Sequence, residues 1–127
     1  MAHHPWFTSG LDWHTELDAA LADAEAAHKK LMLVFGRPKC PGTRLLVERT
    51  LAKEEIEEYT RQHFVMLAVD ADAAEPRVAE VLAKLPVRAP TPLIAYLARD
   101  SRLLGSTAGG RPPAVLLNDM LGATSRP

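Results

Sequence analysis

The chain has 127 residues, with 15 lysines and arginines against 16 aspartates and glutamates. That length suits one domain with its own core, and the charge balance gives no electrostatic case for a nucleic acid or an anionic membrane as partner. A single cysteine excludes an intramolecular disulfide and a zinc ribbon and fits a reducing compartment.

The opening MAHHPWFTSG reads as a flexible arm over residues 1–10, followed by one domain over 11–122 and a short tail over 123–127. His3 and His4 are adjacent rather than a helical turn apart, so they make no metal pair on one helix face. Trp6 and Phe7 are the kind of tail aromatics that pack back onto a domain. The arm lacks the basic and apolar regions of a secretory signal, and no apolar run reaches the roughly 18 residues needed to span a bilayer, so a cytoplasmic protein is expected.

From Asp12 to His28 the periodicity predicts a helix. Thr15 and Asp18 have capping-box spacing, and Leu17, Ala20, Leu21, Ala24 and His28 form a narrow inner stripe. Leu31 to Gly36 reads as a buried strand, and it runs into a turn in which Pro38 and Pro41 bracket Cys40. Pro41 suits a first helical position, where its missing N–H is no loss, so Cys40 stands at the head of a helix reaching about Thr50. Backbone N–H groups and the helix dipole favour a thiolate at such a position, and Arg37, Lys39 and Arg44 add positive charge around it.

A second helix is predicted over Lys53 to His63, with Ile56, Tyr59 and His63 on one face. Its glutamates at 54, 55, 57 and 58 sit near the start as a solvated surface. Phe64 to Asp70 is another buried strand ending in a turn residue. A helix from Pro76 carries Val78, Val81, Leu82 and Leu85 inward and stops at Pro86. Leu93 to Leu97 and Arg102 to Ser106 read as a hairpin joined by Ala98 to Ser101. Gly109 to Pro113 is a hinge into a last helix, Ala114 to Leu121, which Gly122 ends.

The run KCPGTR resembles the redox turn of the thioredoxin-like superfamily, a C-x-x-C motif followed by a basic residue, with a proline after the first cysteine as in glutaredoxins. Trp13, the alanine-rich helix and Lys29-Lys30 before the strand strengthen the likeness to bacterial thioredoxin-like proteins. The resemblance implies an α/β fold with a central mixed sheet of about four to five strands flanked by helices on both faces. It also implies a cis-proline facing the cysteine. Thr91-Pro92 before LIAYL matches that position, with Pro90-Thr91 as a competing register and a trans edge-strand opening as the alternative. On this likeness Cys40 and Thr43 are the catalytic positions, while Thr91, Pro92, Pro41 and Lys39 contact the partner.

Three positions depart from the family pattern. Thr43 replaces the resolving cysteine, giving C-x-x-T; Val34 replaces a buried acid, and Lys39 replaces the aromatic before the cysteine. Dithiol exchange needs a second thiol to release the mixed disulfide, so ordinary thioredoxin activity is not expected within one chain. Three readings survive. Cys40 could form mixed disulfides with a protein or glutathione, with Thr43 donating a hydrogen bond to the thiolate and an outside thiol resolving the product. The fold could instead serve as a redox-inactive module that holds a peptide in the groove beside Pro92. A metal site joining Cys40 to His63 or His28 is the third, although neither histidine has ligand-type spacing to Cys40. No cofactor or metal is expected, and the state in solution should be a monomer or weak homodimer.

Overall fold

The computed structural model describes residues 11–37, 39–73, 75–84, 92–108 and 112–126. The chain runs β1 (Trp13–His14), α1 (Leu17–Ala27), β2 (Lys30–Gly36), α2 (Pro41–Leu45), a π-helical turn (Leu46–Thr50), α3 (Glu54–His63), β3 (Phe64–Asp70), α4 (Pro76–Ala83), β4 (Leu93–Leu97), β5 (Leu103–Ala108) and α5 (Pro113–Thr124). The strands form one five-stranded sheet in the order β1-β3-β2-β4-β5. Helical crossovers make β1, β3 and β2 parallel, whereas the hairpin sets β4 and β5 antiparallel.

Side chains alternate across a strand, so one run of apolar residues serves two cores. Leu31 and Leu33 of β2 join Leu17, Ala20 and Ala24 of α1 and Val78 and Val81 of α4 on one face. Met32 and Val34 point the other way, into a cluster with Leu46, Val47, Ile56, Leu116 and Met120. Because β2 and β3 are covered on both faces, they read as unbroken apolar runs rather than as alternating ones.

Several local features differ from the sequence reading. The expected helix from Asp12 begins only at Leu17, because Trp13 and His14 pair with Met66 and Leu67 as an edge strand. Two residues are too few to carry a period. The Thr15–Asp18 capping box does not form: Glu16 is the N-cap without a side-chain bond, and the Leu17 N–H is instead donated to Glu75 Oε1 at 3.0 Å. Asp18 pairs with Arg77, so the first turn of α1 is tied to the start of α4. His28 leaves the inner stripe because it closes α1 in the left-handed region, at φ 56°.

After α2 the helix widens, with the Leu51 N–H reaching back five residues to the Leu46 carbonyl at 2.8 Å. The wider turn lets Leu46, Val47 and Leu51 all reach the core. At the other end of the chain, α5 continues through Gly122 to Thr124, past the predicted stop. Ala123 is buried, and the Lys30 ammonium donates to the carbonyls of Ala123, at 3.0 Å, Thr124, at 2.8 Å, and Arg126. These contacts hold a last turn that glycine alone would have ended. The arm with His3, His4, Trp6 and Phe7, the Leu85–Pro86 stop, the Pro90 register, the Thr91–Pro92 bond expected to be cis and the 109–111 hinge all lie outside the described residues.

Candidate functional site at the head of the second helix

The parallel strands β2 and β3 end side by side, with Gly36 opposite Asp70. The turn that leaves β2 is closed by the Cys40 N–H, which donates to the Arg37 carbonyl at 3.0 Å. Cys40 then takes the extended N-cap conformation, at φ −76° and ψ 121°, and Pro41 opens α2. Its carbonyl accepts the first helical bond, from the Arg44 N–H at 3.0 Å. The thiol is half-buried, neither lost in the core nor standing clear of the surface.

Thr43 is fully buried. Its Oγ1 accepts the Arg37 N–H at 3.3 Å, and its side chain lies so close to Gly36 that a Cβ there would be 2.6 Å from Oγ1 and 2.7 Å from Cγ2. Gly36 and Thr43 are therefore complementary halves of one contact. Gly42 is placed similarly: a Cβ on it would be 3.1 Å from Pro92 Cδ and 3.8 Å from Cys40 Sγ. Pro92 is buried and packs against the cysteine turn across this glycine. Pro41 and Lys39 are exposed beside it, and Thr91 lies outside the described residues.

Beside the thiol is a groove of about 540 Å³ lined by Arg37, Lys39, Cys40, Asp70 and Asp72. Its charge differs from the cationic surround that sequence suggested. Arg37 Nε pairs with Asp72 Oδ1 at 3.1 Å, and Arg44 Nε pairs with Glu48 Oε1 at 3.5 Å, so two of the three expected cations have carboxylate partners. Asp70 Oδ1 accepts the Asp72 N–H at 2.9 Å, which fixes the second acid in place. From sequence Asp70 reads as a strand-end turn residue, and nothing in the sequence assigns Asp70 or Asp72 to the groove. The available signal was the pairing of two parallel strands, since ligand-facing residues gather at the carboxyl ends of such strands.

A metal centre joining Cys40 to His28 or His63 does not survive the geometry. His28 lies two residues before β2 and His63 immediately before β3, while Cys40 follows the end of β2, so a seven-residue strand of roughly 20 Å lies between them. His28 Nδ1 lies 3.0 Å from an Arg99 guanidinium nitrogen, and His63 packs against Tyr59 in a tilted contact with ring centroids 4.3 Å apart. Among the described residues no three metal-ligating side chains converge, and no helix is long and apolar enough to cross a membrane.

A five-stranded mixed sheet covered by helices on both faces, with a cysteine capping the helix after the central strand and a proline packed against its turn, defines the thioredoxin fold. The chain belongs to the thioredoxin-like domain family, whose model matches residues 17–123. No curated protein matches it. Among solved structures it is similar to a thioredoxin from Thermus thermophilus, with 24% identity and a TM-score of 0.71 over 87% of this chain and 85% of that one. A disulphide isomerase from Xylella fastidiosa Temecula1 has 20% identity and a TM-score of 0.61, covering 92% of each chain. A poplar thioredoxin h has 17% identity and a TM-score of 0.62 over 89% of this chain and 96% of that one. At such identities the likeness is one of fold.

Proposed function

We propose that this protein works as a single-thiol member of its family, forming mixed disulfides with a protein or glutathione through Cys40. The observation that carries the reading is the placement of Cys40: half-buried at the head of α2, opening on a groove, with both its Sγ and Pro92 Cδ close to Gly42. In the reaction the Cys40 thiolate attacks one sulfur of a partner disulfide. The old S–S bond breaks, a new one forms to Cys40, and the departing sulfur leaves with the electron pair and takes up a proton. Cys40 is oxidised and the departing thiol is reduced.

Thr43 offers an O–H on the same turn as a donor to the thiolate, Lys39 and Pro41 flank the arriving partner, and Pro92 with Thr91 pairs with its extended backbone. Release requires an outside thiol, because position 43 cannot supply one. A cytoplasmic setting, where lone thiols stay reduced, is part of this reading.

The test is capture without reductant. Cys40-intact protein and the Cys40→Ser variant are each incubated with lysate, and bound species are compared on non-reducing gels. Adducts that need Cys40 and vanish with dithiothreitol support the reading. Identical recovery by both proteins would favour a redox-inactive binding module.

A further inference from the structure

The groove beside Cys40 has walls of opposite charge. Arg37 and Lys39 come from the turn after β2, and Asp70 and Asp72 come from the end of β3. Each member of the Arg37–Asp72 pair is held by its own local bond: the Arg37 N–H is donated to Thr43 Oγ1 and the Asp72 N–H to Asp70 Oδ1. The pair itself is exposed, with side-chain exposures of 50% and 68%, so water screens it and it opens at little cost. Opening frees a guanidinium and a carboxylate without moving either backbone.

We infer that Arg37 and Asp72 make this groove selective for zwitterionic low-molecular-weight disulfides, which carry an ammonium and a carboxylate beside the reacting sulfur. This rests on the single-thiol reading and adds the substrate class. A dicationic disulfide meets attraction from Asp72 and repulsion from Arg37, and a dianionic one meets the reverse. A zwitterion exchanges the internal pair for two complementary contacts and meets no uncompensated repulsion. The groove, at about 540 Å³, falls within the range of small-molecule sites. The chemical step is unchanged: the Cys40 thiolate displaces one half of the disulfide as a thiolate, which is then protonated.

The experiment measures the rate of mixed-disulfide formation by intact mass with cystine, cystamine and dithiodiglycolate, each divided by the rate for 2-mercaptoethanol with the same disulfide. Wild-type protein should have its highest normalised rate with cystine. Asp72→Asn should shift preference toward dithiodiglycolate and Arg37→Gln toward cystamine, each by about twofold to fivefold, as expected for an exposed charge contact. Raising the ionic strength to about 1 M should erase both shifts, since the screening length is then about 3 Å. Both side chains are exposed, so the substitutions leave the fold intact. Equal normalised rates for the three disulfides, or an order that neither variant alters, overturn the selectivity while leaving single-thiol chemistry standing. No adduct with any of the three overturns both.

Discussion

Thr43, the last residue of the C-x-x-T turn, has a packing partner that the motif alone does not reveal. Its Oγ1 and Cγ2 occupy the space a side chain on Gly36 would need, which makes the pair a lock between the end of β2 and the first turn of α2. Gly36→Ala should therefore destabilise the fold by about 1–3 kcal/mol, as overpacking of a tight contact does. Adding Thr43→Ala should recover a large part of that loss. A double-mutant cycle by urea unfolding measures the coupling, and strictly additive effects would mean the contact is not made.

Tyr96 is the second residue whose chemistry depends on packing. Its phenol is buried and lies 2.8 Å from Thr107 Oγ1, which in turn donates to Asp119 Oδ2 at 3.0 Å. Burial pushes the phenol well above its ordinary value of about 10, with the Asp119 charge acting in the same sense and the Thr107 bond opposing it. As pH rises past about 10, the unfolded phenol loses its proton before the native one, so the native state holds more protons and stability falls. Thermal unfolding followed from pH 8 to about 11 should show this decline, and Tyr96→Phe should flatten part of it.

At the scale of elements, the start of α1 and the end of α5 each gain a bond from a residue distant in sequence, beside their local caps. Lys30 on β2 holds the last carbonyls of α5, although burial, with Arg99 and Arg102 nearby, lowers its pKa. Glu75 receives the first N–H of α1. Lys30→Met should cost about 1–2 kcal/mol, because it leaves carbonyls at a helix C-terminus without their donor. Faster amide exchange confined to the end of α5 would show this directly. Glu75→Ala should cost about 1 kcal/mol, the usual worth of an N-cap, with faster exchange at the start of α1.

These contacts also explain where the sequence was legible. β2, β3 and α3 carry strong periods or long apolar runs and lie within a residue or so of their predicted positions, and α4 starts at Pro76 as predicted. By contrast, β1 is two residues long, and the true end of α5 depends on a lysine more than ninety positions away in sequence. Likewise, Cys40 and Pro92 could be placed from a short motif. Asp70 and Asp72 needed the strand pairing to be known before they could be assigned to the groove.

For the whole molecule, the mixed sheet brings three segments, Arg37 to Cys40, Asp70 to Asp72 and Pro92, together at one end of its central strands. On the proposed function, turnover at this site depends on how a captured partner is released. Thr43→Cys supplies a second thiol one turn after Cys40, so adducts retained by the wild-type chain should be expelled by an internal disulfide. Non-reducing gels should then show the captured species lost, and intact mass spectrometry should show the variant lighter by about two mass units per chain, the loss of two hydrogens. Adducts that persist equally in the variant would mean that Cys40 holds its partners in a geometry the second thiol cannot reach.

The central claim is that Cys40, half-buried at the head of α2 and opening on a groove, serves as an accessible nucleophile. Its most direct measurement is the rate of Cys40 alkylation by iodoacetamide at about pH 6, set against a short unstructured cysteine peptide in the same buffer. The helix-capping position predicts that Cys40 reacts faster than the peptide. A rate equal to the peptide's, or slower, would contradict the account.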